Sequence, residues 1–244
     1  MTTDLRGRRG RGWTLLTPSN QYVSRLPHLA AATRLVKLVT PRFAGARFGQ
    51  YLIDLPPGAG TSEPCDASFE DFLYVLDGCL ETAEGKLPAG GFTYAPEGVG
   101  LEFSASAAGA ARVLWLKRRY EAWSVVPVPG PVTGHRDDAP FAALSVPGLT
   151  RRELLAPLDP AFDFAMSLLR FAPGAALDRV EIHDEEHGLY MTEGEGLYHL
   201  DGEWLEVRAG DFVHMAPYCP QSFVATGAGP AEYLLYKDTW RDGF

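Results

Sequence analysis

Residues 181–190 read EIHDEEHGLY, a polar cluster that leads into an apolar run. In an extended strand, side chains two positions apart point to the same face, so Glu181 and His183 project to one side. Residues two apart on a helix do not face each other, so this spacing favours a strand. His187 follows three acidic residues that suit a turn or a bend. We therefore expect one carboxylate and two imidazoles to converge on a single divalent cation.

Short apolar runs recur along the whole chain. The 244 residues are 46% hydrophobic, which is typical of a globular protein with a core. Runs such as YLIDL at 51–55, FLYVL at 72–76 and YLLY at 233–236 are separated by segments rich in glycine, proline and aspartate. Such runs of branched and aromatic residues are typical of strands in a sandwich or barrel. The sequence predicts an all-β protein, with one candidate helix around Leu26 to Lys37.

An internal repeat divides the chain. Gly58 precedes Tyr74 by 16 residues, and Gly174 precedes Tyr190 by the same 16 residues. The two copies are offset by 116 residues, which is too long for a solenoid unit and close to the size of a domain. The repeat therefore predicts two tandem copies of one β-domain.

The expected domains are residues 1–125 and 141–244. Residues 126–140 between them begin VPVPGP, and the prolines there predict a stiff spacer. The acidic and histidine cluster lies in the second domain only. We expect the first domain to be structural and the second to carry the function.

Gln221 is a candidate fourth ligand, because it follows the segment APYCP at 216–220 on a later predicted strand. A carboxylate, two imidazoles and an amide oxygen favour manganese, iron, zinc or nickel over calcium and magnesium. The absence of thiolates argues against a structural zinc site. Four protein ligands leave open positions on a six-coordinate ion, which indicates catalysis. From the residues alone, a solvated acidic turn with two chance histidines remains the alternative.

The first copy lacks these ligands. Its equivalent positions hold Cys65, Ala67 and Asp71, with Gly100 or Leu101 at the place of the glutamine. The other four histidines are not at repeat-related ligand positions, and we expect structural roles for them: His28, His135, His199 and His214.

Charge and cysteine content exclude several classes of protein. The net charge of −9 argues against nucleic acid as the main partner. Arginines 6, 8, 9 and 11 predict a frayed terminal arm, with a contact to another subunit or an anion as the alternative. Three cysteines do not form a disulfide framework. There is neither a secretory signal nor an apolar run that could span a bilayer, so we expect no membrane partner and a reducing cytoplasm.

The two copies and the glycine-bounded cluster resemble the bicupins. Typical cupins carry H-x-H-x(3,4)-E and a distant histidine. Here Glu181 replaces the first histidine, His187 replaces the glutamate, and Gln221 replaces the last histidine. This inverted set is similar to that of the (S)-ureidoglycine aminohydrolase family. The segments EGLY at 195–198 and YLLYKD at 233–238 also resemble that family.

The resemblance implies two jelly-roll barrels and one Mn²⁺ per chain, held in the second barrel by Glu181, His183, His187 and Gln221. It implies substrate contacts from Glu181, Tyr198, Tyr233 and Lys237, with catalytic roles for Glu181 and Lys237. The implied reaction is hydrolysis of (S)-ureidoglycine to (S)-ureidoglycolate and ammonia, in purine and allantoin catabolism. It further implies a small ureide as the partner and a homo-oligomer in the cytoplasm.

Three rival interpretations stay open at this point. Two histidines and a carboxylate are also the ligands of non-haem iron oxygenases, although a glutamine ligand crowds the face that oxygen needs. A bicupin can also be a binding protein without catalysis, because fold does not decide function. Finally, the substrate can be another small ureide or amino acid, since a few pocket contacts decide that choice.

Overall fold

The computed structural model describes residues 6–43, 45–123, 125–155, 159–239 and 241. Within these ranges the chain forms twenty-one strands and a single 3-10 turn at Pro18–Asn20. The prediction of an all-β protein is confirmed. In the described residues there is no helix long and apolar enough to cross a membrane.

The first strands in chain order are β1 (Arg8–Gly10), β2 (Trp13–Leu16), β3 (Val23–Ser24), β4 (Arg34–Val39), β5 (Phe48–Leu55), β6 (Glu70–Asp77), β7 (Cys79–Thr82), β8 (Gly85–Pro88), β9 (Gly91–Ala95), β10 (Phe103–Ala105), β11 (Ala111–Arg118) and β12 (Val132–His135). The remaining strands are β13 (Ala142–Ala143), β14 (Leu149–Leu155), β15 (Phe164–Phe171), β16 (His187–Glu193), β17 (Glu195–Leu200), β18 (Glu203–Arg208), β19 (Phe212–Met215), β20 (Gln221–Ala225) and β21 (Ala231–Asp238).

The candidate helix at 26–37 is wrong. Its second part belongs to β4, which pairs antiparallel with β5 and buries Leu35 and Val36. Its first part is a loop, in which the Ala30 N–H donates to Gly60 O rather than to a helical partner. Pro27 removes a backbone donor from this segment, and pairing with β5 outweighs the helix preference of the alanines.

Two compact units make up the fold. The first unit spans Tyr22–Asp138, and its described strands form a sheet in the order β12-β9-β6-β11-β5-β4-β3 and a small sheet in the order β10-β7-β8. The second unit joins Met1–Gln21 to Ala139–Phe244. Its described strands form a sheet in the order β1-β2-β19-β16-β21-β15-β14-β13 and a small sheet in the order β18-β17-β20. The matching orders reflect the internal repeat.

Each unit buries its own apolar core. The core of the first unit includes Leu73, Val113 and Trp115, all with no exposed surface. The core of the second unit includes Phe171 and Phe223, whose rings meet edge to face with centroids 4.8 Å apart. Alternating residues of the predicted strands supply these side chains, as the pleat of a β-strand requires.

Each large sheet is completed by a strand that lies outside its own repeat. β2 precedes the first repeat, yet it pairs with β19 of the second unit, with Trp13 opposite Met215. β12 precedes the second repeat, yet it pairs with β9 of the first unit, with Val132 opposite Tyr94. The units therefore depart from the expected bounds of 1–125 and 141–244 at these two segments. Local patterns cannot show this, because the paired segments are distant in sequence.

The arginine-rich start of the chain is not a frayed arm over its described part. Residues 8–10 form β1, which pairs with β2. Arg6 forms an ion pair with Asp211, whose side chain is buried. Asp211 also accepts from the backbone N–H of Arg208 at 2.9 Å and lies 3.3 Å from the Thr17 hydroxyl. The glycine and aspartate turn at 210–211 thus holds Arg6 and Thr17 against the rest of the second unit.

Candidate metal centre

Backbone pairing brings four of the predicted site residues to one region of the second unit. The Glu181 N–H donates to Gln221 O at 2.8 Å, and the Gln221 N–H donates to Glu181 O at 3.0 Å. Directly opposed residues of an antiparallel pair place their side chains on the same face. His187 begins β16 and lies opposite Lys237 of β21, so these two side chains also share a face.

The two predicted histidines face each other through their Nε2 atoms. The Nε2 atoms of His183 and His187 are 3.2 Å apart, and the side-chain nitrogen of Gln221 lies 3.1 Å from His183 Nε2. Donors that bind one ion at about 2.1 Å in adjacent coordination positions lie about 3.0 to 3.4 Å apart. Both distances to His183 Nε2 therefore fit groups that share a cation.

The protonation of His187 leaves a lone pair in this space. Its Nδ1 donates to the Glu186 carbonyl at 3.0 Å, and a neutral imidazole carries one N–H, so Nε2 is unprotonated. Burial lowers the pKa of His187 well below its usual value, and the charges of His183 and Lys237 act in the same direction. The ring is thus neutral and available as a ligand.

The donor set requires one adjustment before it can bind an ion. Within the described ranges, no three His, Cys, Asp or Glu side chains stand together as a ready metal site. The groups that do converge are two imidazoles and an amide, and Gln221 accepts at Oε1 from the Tyr198 hydroxyl at 3.1 Å. A half-turn of the Gln221 amide brings its oxygen to the imidazoles and lets its NH₂ donate to the phenol oxygen. With this rotation, the residues fit a divalent cation.

Two buried tyrosines lie in the same interior. Burial raises the pKa of Tyr198 well above its usual value, and the charges of Tyr233 and Glu181 raise it further. Burial also raises the pKa of Tyr233, with a further contribution from Glu181. The Glu181 carboxylate is therefore close enough to act on both phenols. Both hydroxyls stay protonated at neutral pH and can donate hydrogen bonds.

Glu185 is a residue of this site that the sequence pattern did not single out. Its Oε1 lies 2.9 Å from Lys237 Nζ, and its Oε2 lies 2.7 Å from His183 Nδ1. The second contact is short but poorly aligned with the ring N–H direction. Burial raises the pKa of Glu185, but Lys237 and His183 outweigh this effect and hold it below its usual value. The sequence offered only an acidic turn, in which no single carboxylate stands out.

The first unit holds different chemistry at the equivalent positions. The Cys65 N–H donates to Leu101 O at 2.9 Å, which matches the pairing of Glu181 with Gln221 and selects Leu101 as the equivalent of the glutamine. Asp71, the equivalent of His187, is fully buried and accepts from Trp115 Nε1 at 2.8 Å. Lys117 Nζ lies 3.0 Å from the same carboxylate. An internal ammonium thus neutralises the acid that remains there.

The four other histidines lie apart from the cluster of His183 and His187. His214 Nε2 lies 2.8 Å from Glu186 Oε1, and both side chains are buried. His135 Nε2 is 2.9 Å from the Ala89 carbonyl. His199 packs against Trp204, and His28 packs against Trp115. Cys219 is buried, and burial raises the pKa of its thiol to about 11, so it behaves as a small apolar residue.

Comparisons with known proteins identify the family to which the chain is similar. The cupin domain family model matches residues 167–236. The chain is 34% identical over 242 residues to the (S)-ureidoglycine aminohydrolase of Escherichia coli (strain K12), an alignment that covers 94% of this chain and 89% of the relative. It is 31% identical over 239 residues to the (S)-ureidoglycine aminohydrolase of Arabidopsis thaliana, with coverage of 95% and 77%.

A solved structure shares the same fold. The crystal structure of the protein Ylba from E. coli superimposes with a TM-score of 0.86 at 29% sequence identity, and the match covers 98% of this chain and 96% of that chain. The similarity extends through both units, because nearly the whole of each chain is aligned.

Proposed function

Because this chain belongs to the (S)-ureidoglycine aminohydrolase family of the cupins, we propose that it is a metal-dependent hydrolase that converts (S)-ureidoglycine and water to (S)-ureidoglycolate and ammonia in purine catabolism. The observation that carries the proposal is the convergence of His183, His187 and Gln221 at ligand spacing. Tyr198 and Lys237 lie beside them. We further propose Mn²⁺ as the ion, with Glu181 as the fourth ligand.

The bound ion would hold and polarise the polar groups of the substrate. The chain's own residues supply orientation. Lys237 offers an ammonium to the substrate carboxylate, a point charge that suits this role. Tyr198 and Tyr233 are buried donors that can fix the ureido and amino groups in one handed arrangement. Such fixed donors explain how one enantiomer would be selected.

Glu181 is the proposed proton carrier. Water forms a C–O bond to the carbon that bears the amine, and the C–N bond of that carbon breaks. Glu181 accepts the proton from water and returns it to the departing nitrogen, which leaves as ammonia. Its position opposite Gln221 and near both phenols supports this role.

The decisive experiment is incubation of manganese-loaded protein with freshly generated ureidoglycine. Ammonia release without oxygen consumption, together with formation of the (S) product, supports the proposal. A protein that carries iron and consumes oxygen would instead be an oxygenase. A protein that purifies without stoichiometric metal and leaves ureides unchanged would be a binding protein.

The proton role of Glu181 has a separate test. Glu181→Gln keeps the size of the side chain but removes the base, so we expect a large loss of kcat in protein that still binds manganese. Full turnover by this variant with its metal retained would refute the proton role while leaving the metal site intact. The family resemblance also leads us to propose a cytoplasmic homo-oligomer, whose size light scattering can measure.

A further inference from the structure

Glu185 contacts both a proposed metal ligand and the proposed carboxylate-binding lysine. Its two carboxylate oxygens lie 2.7 Å from His183 Nδ1 and 2.9 Å from Lys237 Nζ. The Glu185 side chain is 23% exposed, so its carboxylate is largely removed from solvent. We propose that Glu185 is a positioning residue that sets the tautomer of His183 and the location of Lys237. This inference rests on the function proposed above.

The effect on His183 follows from the hydrogen-bonding capacity of the two groups. Although the 2.7 Å contact is poorly aligned for a hydrogen bond, the negative carboxylate repels a lone pair at Nδ1, so it favours the tautomer of the facing imidazole that carries its proton on Nδ1. The lone pair then lies on Nε2, the atom that faces His187 and Gln221. A carboxylate behind a metal-bound imidazole also fixes the ring orientation, and its loss typically weakens metal binding 10- to 100-fold.

The effect on Lys237 follows from its flexibility. A lysine side chain carries its compact charge on a flexible four-carbon stem, and the side chain of Lys237 is 40% exposed. The ion pair with Glu185 restrains the ammonium of Lys237, whose side chain lies on the face that it shares with His187 across β16 and β21. The same ion pair competes with an anionic substrate for Lys237. Glu185 therefore lowers the affinity for substrate somewhat, while it fixes the geometry of the groups around the ion.

Metal affinity gives the first test. Binding of Mn²⁺ is followed by the EPR signal of the free ion in wild type, Glu185→Ala, Glu185→Gln and Asp184→Asn. We expect Glu185→Ala to weaken binding about 10- to 100-fold. Glu185→Gln should lose less affinity for Mn²⁺, since its amide oxygen can still accept a hydrogen bond from the ring N–H. Asp184→Asn removes the same charge one position away and should bind as wild type does.

The tautomer of His183 gives a second test that needs no metal. In ¹⁵N NMR spectra of metal-free wild type, we expect the Nδ1–H form, and in Glu185→Ala a mixture with the Nε2–H form. With saturating manganese, the kcat of Glu185→Ala should fall while its KM does not rise. Lys237→Met should instead raise KM. Wild-type Mn²⁺ affinity and tautomer in Glu185→Ala would overturn the inference.

The two proposals fail in different ways. If wild type does not bind Mn²⁺, the proposed function fails, and the tautomer measurement still decides the role of Glu185. If wild type binds Mn²⁺ and both Glu185 variants bind it equally well, only the role of Glu185 fails. If Glu185→Ala does not fold, the tautomer and affinity of Glu185→Gln against Asp184→Asn decide the outcome.

Discussion

Single residues show how far the first unit has diverged from the second. Asp71 takes the place of His187, and Lys117 Nζ lies 3.0 Å from its carboxylate. Lys117 is the equivalent of Lys237, so both units place a lysine opposite the same position of the barrel. In the first unit this ammonium supplies the positive charge that we propose a metal ion supplies in the second.

Asp71 should make stability depend on pH. Burial raises its pKa from 3.8 to about 6, against the opposing effect of Lys117 and Trp115. The folded state therefore binds this proton more tightly than the unfolded state does. Relative to Asp71→Asn, the free energy of unfolding of wild type should fall by up to about 3 kcal/mol as the pH rises from about 4 to about 6. Above that pH it should stay level.

Urea unfolding of wild type and Asp71→Asn between pH 4 and 7.5 measures this difference. Asp77→Asn is the matched control, because Asp77 is exposed on the same strand. Parallel stability profiles for wild type and Asp71→Asn would show that the carboxyl titrates normally.

Tyr218 illustrates a different kind of departure between the copies. It adopts a positive φ of 63°, which is unusual for an aromatic residue, and its N–H donates to His183 O at 2.7 Å. The equivalent donor in the first unit is Gly98, whose N–H donates to Ala67 O at 2.8 Å. Gly98 has φ of 93° and open space around it, so only the backbone conformation favours glycine there.

The corresponding substitutions should differ in their effect on stability. Tyr218→Gly should leave stability within about 1 kcal/mol of wild type, because strain relief offsets the added freedom of the unfolded chain. Gly98→Ala should destabilise by about 1 kcal/mol or more. Denaturant midpoints of the two variants test this. A loss well above 1 kcal/mol in Tyr218→Gly would mean that the ring packs against something in the assembled protein.

The site residues show what a sequence can and cannot reveal. The two-residue spacing of Glu181 and His183 predicts a common face, but only Glu181 makes a β-bridge and His183 lies outside the strands, so this stays a prediction. Glu185 was not recognised, because an acidic turn is usually solvated and nothing local distinguishes the carboxylate that turns inward. Only the partners His183 and Lys237, one of them on a distant strand, give it a role.

At the level of strands, the short apolar runs predicted that strands form but not which strands pair with each other. β2 and β12 each have few residues, and their own sequences are compatible with either sheet. What places them is pairing with β19 and β9, respectively. The candidate helix failed for the same reason, since pairing of β4 with β5 outweighs local preference.

The exchange of β2 and β12 between the sheets predicts how a nicked chain behaves. A protease site inserted within residues 126–131 cuts between the two repeats, leaving β2 on one fragment and β12 on the other. Each fragment then still supplies a strand to the large sheet of the other. We expect the two fragments to elute together in size-exclusion chromatography without denaturant and to separate in urea.

The same nick in a chain that lacks residues 1–16 is the control, because only one of the two exchanged strands then remains. This version should separate at a lower urea concentration. Fragments of the full-length chain that separate freely in buffer would contradict the prediction.

For the molecule as a whole, the asymmetry of the two units predicts an asymmetric response to metal. A ligand that binds only the folded state, at 100 times its Kd, stabilises by about 2.7 kcal/mol. Hydrogen exchange should slow on addition of Mn²⁺ in β16, β20 and β21 of the second unit. Exchange in β5 and β6 of the first unit should not change.

Mass spectrometry of peptides from each strand resolves the two units, and His187→Ala is the control that should abolish the slowing. Equal slowing in both units would point to an ion held outside the proposed site. The absence of any slowing at saturating manganese would argue against tight binding in the second unit.

Synthesis on the ribosome makes the pairing of β2 with β19 a problem of timing. Translation produces Trp13 to Leu16 almost two hundred residues before Phe212 to Met215, so β2 can pair with β1 but has no partner on its other side while most of the chain is made. The first unit can close as soon as β12 emerges, whereas the second must wait for its last strands. The apolar strand β2 therefore lacks its partner β19 until synthesis is nearly complete. An expression host must keep this strand from aggregating until the chain is released.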